Sequence, residues 1–126
     1  MTKFRQLLGQ AGENQAITFL KKNGYHILEK NYRSKLGEID VIAKDSETIA
    51  FIEVKTRRST YYGHPKEAIT LDKQKKISMT ALEYLKKHKL IHSKARFDVI
   101  TISYISQKPD IQLIKNAFEL KYAVGY

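Results

Sequence analysis

Apolar residues return at helical spacing from about Lys3 to Asn23, where Leu7, Leu8, Ala11, Ala16, Phe19 and Leu20 form a stripe and Asn23-Gly24 supplies the stop. The pattern then changes to that of strands. Tyr25 to Arg33 alternates loosely, with Tyr25, Ile27 and Tyr32 as its apolar points. Glu38 to Ala43 and Thr48 to Thr56 alternate clearly across the polar Lys44-Asp45-Ser46-Glu47, which predicts a hairpin. Arg57 to His64 is polar and aromatic without a period and is expected to be a mobile loop. From Asp72 to His88 the residues Ile77, Ala81, Tyr84 and Leu85 share one helical face, with Asp72 as the expected N-cap and Lys86, Lys87 and His88 in the last turn. Ala95 to Tyr104, rich in Val, Ile and Thr, predicts a strand, and Ile111 to Lys115 another after the Lys108-Pro109-Asp110 turn. The predicted order is α-β-β-β-α-β-β, an α/β sandwich. No repeat and no Pro/Gly/Ser-rich linker divides the chain, so residues 1–126 are expected to form a single domain.

Charge narrows the partners. Lys and Arg total 23 against 13 Asp and Glu, a formal balance of +10, which favours a polyanion: nucleic acid or an acidic membrane surface. No segment combines a large apolar face with a basic one, which argues against docking on a membrane. With 0 Cys there is no thiolate nucleophile, disulfide framework or Cys-ligated metal. The first residues turn polar at Gln10 and Glu13 before a signal-peptide run accumulates, so the cytoplasm is the expected compartment. Gly-x-Ser-x-Gly, Gly-x-Gly-x-x-Gly and Walker A patterns are missing, leaving serine-hydrolase and nucleotide-hydrolysis chemistry without support.

The predicted hairpin carries charges where buried strands normally have none: Gly37-Glu38-Ile39-Asp40-Val41-Ile42 and Phe51-Ile52-Glu53-Val54-Lys55. Strand alternation puts Glu38 with Asp40 on one face, Ile39 with Val41 on the other, and Glu53 with Lys55 together. An even-length loop pairs residues whose numbers sum to an odd value, which brings Glu38, Asp40, Glu53 and Lys55 to one face. Desolvating a carboxylate costs several kcal/mol, by rough estimate, unless something pairs with it, and Lys55 offsets only one. A hard divalent ion such as Mg²⁺ or Mn²⁺ would offset the others. Such an ion stabilises charge on a phosphodiester and acidifies a bound water. The competing reading of the same residues is a solvated charged face.

Ile39-Asp40, twelve residues, then Glu53-Val54-Lys55 resembles the active-site signature of the PD-(D/E)XK nuclease superfamily, with Ile39 in place of the nominal Pro. With Glu13 in Gly9-Gln10-Ala11-Gly12-Glu13 the layout is similar to that of archaeal Holliday-junction resolvases. The chain resembles the YraN-like bacterial family more closely, from Gly12-Glu13 through Phe51-Ile52-Glu53-Val54-Lys55-Thr56-Arg57 to Arg96-Phe97-Asp98-Val99. The resemblance implies a restriction-endonuclease-like mixed sheet flanked by helices. It further implies that Asp40, Glu53 and the Val54 carbonyl are metal ligands, that Lys55 is the catalytic lysine, and that Glu13 completes the acidic cluster. A Gln with a Tyr four residues on, found in another branch of the superfamily, is not matched, since Ser78 follows Gln74 at that spacing.

The remaining candidates divide by chemistry. Lys73, Lys75, Lys76, Lys86, Lys87 and Lys89 read as a solvated helix face, but with Arg57 and Arg58 just after the lysine strand a phosphate track is the competing reading, with Arg57, Arg58, Lys75 and Lys76 as its candidate contacts. Tyr61, Tyr62 and His64 could stack on bases or pack locally. His88 and His92 have zinc spacing but lack the His-Glu-x-x-His pattern. Glu38 is expected at the rim, and Asp98, between Phe97 and Val99, in a structural role. Tyr122, Ala123, Val124 and Tyr126 make an apolar tail that is a candidate homodimer surface. Together these point to a Mg²⁺-dependent (or Mn²⁺-dependent) endonuclease acting on branched or structured DNA, with a noncatalytic nucleic-acid-binding module of the same fold as the alternative.

Overall fold

The computed structural model describes residues 3–57, 69–104 and 108–119, with side chains from Gln10 onward in the first helix. Seven elements follow in the expected order: α1 (Lys3–Lys22), β1 (His26–Arg33), β2 (Glu38–Asp45), β3 (Thr48–Arg57), α2 (Leu71–Lys87), β4 (Ala95–Ser103) and β5 (Asp110–Phe118). The strands lie in one sheet in sequence order. Every neighbouring pair is antiparallel except β3 and β4, which are parallel with α2 as their connection. Among the described residues, no helix is long and apolar enough to cross a membrane. Arg58, Tyr61, Tyr62, His64 and the tail residues Tyr122, Ala123, Val124 and Tyr126 lie outside the described residues.

Each sheet face is covered by one helix, so the core has two halves. Ala16, Ile17 and Leu20 of α1 pack on Val41, Ala43, Ala50, Ile52, Ile100 and Ile102. Ile77, Ala81, Tyr84 and Leu85 of α2 pack on Ile42, Ile49, Phe51, Phe97 and Val99. Alternation along β3 sorts the halves, even numbers toward α1 and odd toward α2. The stripe of α1 is rotated from the sequence expectation, because Ala11 is exposed and Gly12 is buried in its place. A Cβ at Gly12 would stand 2.5 Å from Thr56 Oγ1, so glycine is what lets the helix lie this close to β3. Tyr104 hydrogen-bonds Gln15 and ties the same stretch of α1 to the end of β4.

Three boundaries differ from expectation for local reasons. The hairpin strands run on through Lys44 and Asp45, leaving Ser46-Glu47 as a two-residue turn with Ser46 at φ 54°. Helix α2 starts earlier, because the Thr70 side chain, and not Asp72, caps it by accepting from the Lys73 N–H at 3.2 Å. β5 extends to Phe118 through a bulge at Asn116, whose φ is 55°.

Candidate active site

The two strands of the hairpin, β2 and β3, part company at the site. β2 and β3 pair with number sums of 93, from Asp45↔Thr48 to Val41↔Ile52, and the described pairing ends there. The sum is odd, as the predicted loop requires. Ile39, however, belongs to the core under α2 and Val41 to the core under α1, so the expectation that both take one face is wrong. The alternation breaks at Asp40. The neighbouring strand breaks at the same level, because Asn31, opposite Asp40 in the β1–β2 register, has φ 50°. Asn tolerates this left-handed conformation, and one such residue turns the strand over. Beyond the kink, Tyr32 pairs with Ile39, and both face α2.

Asp40 lies in the gap so opened. Its Oδ2 accepts the Val54 N–H at 2.8 Å, a donor freed where the ladder stops. An extended residue points its carbonyl to the same side as its N–H, so the Val54 oxygen faces the same gap. Glu53 and Lys55 continue the α2-facing set of β3. Glu53 is buried, with its side chain 9% exposed, and Lys55 is half-buried. The Lys55 Nζ stands 3.7 Å from Glu53 Oε1. Glu13 is half-buried on α1, the helix of the other face, one residue past the close approach at Gly12, and its charge acts on Asp40.

The carboxyl of Asp40 is pushed up to about 7, chiefly by burial and next by the charge of Glu53, with Glu13 adding to the rise and the Val54 N–H and Lys73 opposing it. Burial, followed by the neighbouring Lys73, pulls the Lys55 ammonium below the ordinary lysine range. Both shifts follow first from burial and next from a neighbouring like charge.

Lys73 is the residue that sequence reasoning missed. It reads as one of several solvated lysines, yet its Nζ lies 2.8 Å from Glu53 Oε1, closer than Lys55. Burial weakens its ammonium, but the hydrogen bond to Glu53 reverses this and raises it overall. The available signal was its position in the first turn of α2, at the helix end where cations are disfavoured.

The other candidates spread out. Lys75 and Lys76 are exposed on α2, Lys76 pairing with Asp72 at 3.4 Å, and Arg57 ends β3 two residues beyond Lys55. Gln74 donates to the Ile69 carbonyl at 3.0 Å. Glu38 pairs across the strands with Arg33 at 3.3 Å, largely in solvent. His88 stacks on Tyr84 at 4.2 Å between ring centroids. Asp98 is fully buried and accepts from Arg96 Nε at 2.8 Å, Arg96 Nη2 at 2.9 Å, the Tyr25 hydroxyl at 3.1 Å and the Asn116 N–H at 2.9 Å. Arg96 also reaches Asp45 at 2.9 Å. This network clamps β2, β4 and β5 together, in keeping with the structural role expected of Asp98.

The donor set suits a hard cation of low protein denticity. Among the described residues, no three His, Asp or Glu side chains form a metal-holding group. Two carboxylates and a backbone carbonyl match Mg²⁺, which keeps several waters and takes one or two carboxylates. The residues present therefore fit the ion.

Known proteins are similar to this chain over most of its length. A family model described as uncharacterised protein family UPF0102 matches residues 12–102, from the buried glycine of α1 to the end of β4. A UPF0102 protein of Geobacter metallireducens is 48% identical over 97% of this chain and all of its own length. One from Clostridium botulinum is 53% identical over 90% of this chain and 94% of its own. A solved structure described as the crystal structure of SSO0001 superposes with a TM-score of 0.43 at 20% identity, covering 91% of this chain and 54% of that one.

Proposed function

The chain belongs to the uncharacterised protein family UPF0102, and from that premise we propose that it is a Mg²⁺- or Mn²⁺-dependent endonuclease that hydrolyses phosphodiester bonds, with branched or otherwise structured DNA as its substrate class. The observation that carries the reading is the convergence of Asp40 and Glu53, two carboxylates drawn out of water, on the gap that Val54 and Lys55 border. A purely structural cluster would be expected to neutralise its acids, as the Asp98 network does with Arg96. Here three acids, Asp40, Glu53 and Glu13, share the site with two ammonium groups, Lys55 and Lys73, both of which pair with Glu53, while the hydrogen bond to Asp40 comes from a neutral N–H.

Asp40, Glu53 and the Val54 carbonyl would hold the ion, which supplies charge stabilisation at the phosphate and acidifies a water. The Val54 N–H fixes the Asp40 carboxylate. Lys55, beside Glu53, orients the attacking water or the scissile phosphate, and Glu13 orients water from the opposite face. Arg57, Lys75 and Lys76 would hold flanking phosphates, fixing register without reading sequence.

The test is nicking of linear duplex, single-stranded, flap and four-way DNA with Mg²⁺, with Mn²⁺ and with chelator. Ion-dependent nicking that favours the branched substrates is expected. Binding to all of these without any nicking would replace the enzyme with a noncatalytic nucleic-acid-binding module.

A further inference from the structure

Two ammonium groups address one carboxylate oxygen. Glu53 Oε1 has Lys73 Nζ at 2.8 Å and Lys55 Nζ at 3.7 Å, while Asp40, the other carboxylate of the gap, accepts from a backbone N–H. The nearer ammonium comes from another element. Lys73 stands in the first turn of α2, its own N–H used by the Thr70 cap, where the helix macrodipole opposes a positive charge. Helix stability therefore does not account for a lysine there. The exposed Lys76, one turn further along, pairs with the i−4 residue Asp72. Lys73 crosses instead to the sheet.

An ammonium at hydrogen-bonding distance from Glu53 and a divalent ion at about 2.0–2.1 Å from the same carboxylate compete for one anion. We propose that Lys73 is a tethered counter-cation of this site: it holds Glu53 while no divalent ion is bound, yields that carboxylate to the ion, and then pairs with a phosphate of the nucleic acid. This rests on the metal-dependent nuclease reading above and adds to it a residue with two successive anions. The chemistry of the side chain allows the exchange. A lysine is a point charge on a flexible four-carbon stem, and the Lys73 side chain is 40% exposed, so the ammonium moves without disturbing the core. Lys55 remains beside Glu53 on the same strand, its side chain 28% exposed against 67% for Lys76, and keeps its place when Lys73 leaves.

Lys73→Met keeps the length of the stem and removes the charge. Calorimetric titration of the full chain with Mg²⁺, and again with Mn²⁺, without DNA should show tighter binding in the variant, by roughly fivefold, because a competing cation has gone. Lys73→Arg, which keeps the charge, should bind the ion no more tightly than the wild type. With Ca²⁺ as the ion, the slope of log affinity against log salt for a labelled duplex should flatten by about 0.9 in Lys73→Met, the value of one lost phosphate contact. Unchanged or weaker ion binding in Lys73→Met would overturn the counter-cation, and an unchanged salt slope would overturn the transfer to phosphate. A wild type and variant that both bind no ion would defeat the metal-dependent reading itself. A variant that binds while the wild type stays silent would support the proposal most directly. Thermal melting of the two variants separates these results from misfolding.

Discussion

At the residue scale the site is governed by charge that burial amplifies. Asp40 has a folded carboxyl raised to about 7 against about 3.9 in an unfolded chain. Below both values the proton is bound in both states and stability is unaffected. As pH rises through this window the unfolded chain releases the proton and the folded chain retains it, so the native state loses stability up to about pH 7 and no further. Asp40→Asn, which can still accept the Val54 N–H, should remove that loss. In urea unfolding, the stability of the variant relative to the wild type should grow from pH 4 to pH 7, by at most about 1.4 kcal/mol per pH unit. Adding Mg²⁺ at pH 8 should raise the melting temperature of the wild type but not of the variant. A flat difference across the pH range would remove the strain from Asp40. For Lys55→Ala the expectation is the reverse in kind: nicking is lost while the ion isotherm and DNA binding stay largely intact, and a wild-type rate would end its catalytic role.

At the element scale two devices position the site. Gly12 sets the approach of α1, so Gly12→Ala trades about 1 kcal/mol of helix propensity against overpacking on Thr56. The single change should destabilise by about 1–2 kcal/mol and slow any nicking by shifting Glu13. In a Thr56→Ala background the clash disappears, and Gly12→Ala should turn neutral or stabilising, which a double-mutant cycle in urea reads directly. The second device is the clamp at the other end of the strands. Arg96→Met strands the fully buried Asp98 with neutral donors alone and should cost about 3–5 kcal/mol of unfolding free energy. A loss below 1 kcal/mol would show that the clamp is not what holds β5.

At the scale of the whole molecule, in the proposed nuclease the surplus of positive charge and the exposed lysines of α2 would bear on affinity and little on chemistry. Neutralising Arg57, Lys75 or Lys76 singly should weaken DNA binding alike on unrelated sequences and flatten the salt slope by about 0.9 per lost contact. A sequence-dependent loss with the slope unchanged would contradict phosphate contacts. Resolving a four-way junction takes two symmetric nicks, so one site per chain calls for a two-fold pair. Sedimentation should then show a concentration-dependent dimer, whereas a strict monomer that prefers no junction would leave a nuclease of simpler substrates.

The amino-acid sequence alone determined the order of elements and the odd-sum register of the hairpin, because strand and helix periods and short loops are local rules. The tertiary structure decided what depends on contacts between distant segments. Lys73 looks like its neighbours on α2 until the crossover lays the start of that helix against β3. Asp98 reads as structural from its place between Phe97 and Val99, but only the fold supplies its partners: Tyr25 ahead of β1, Arg96 two residues back on β4 and Asn116 of β5. Asn31 gives no sign of turning β1 over, yet its left-handed backbone lies opposite the break at Asp40 and the gap where Asp40 meets Glu53. Periodicity records which face a side chain takes, and only packing settles which charges from separate elements share one buried volume, where the low dielectric makes their interaction large.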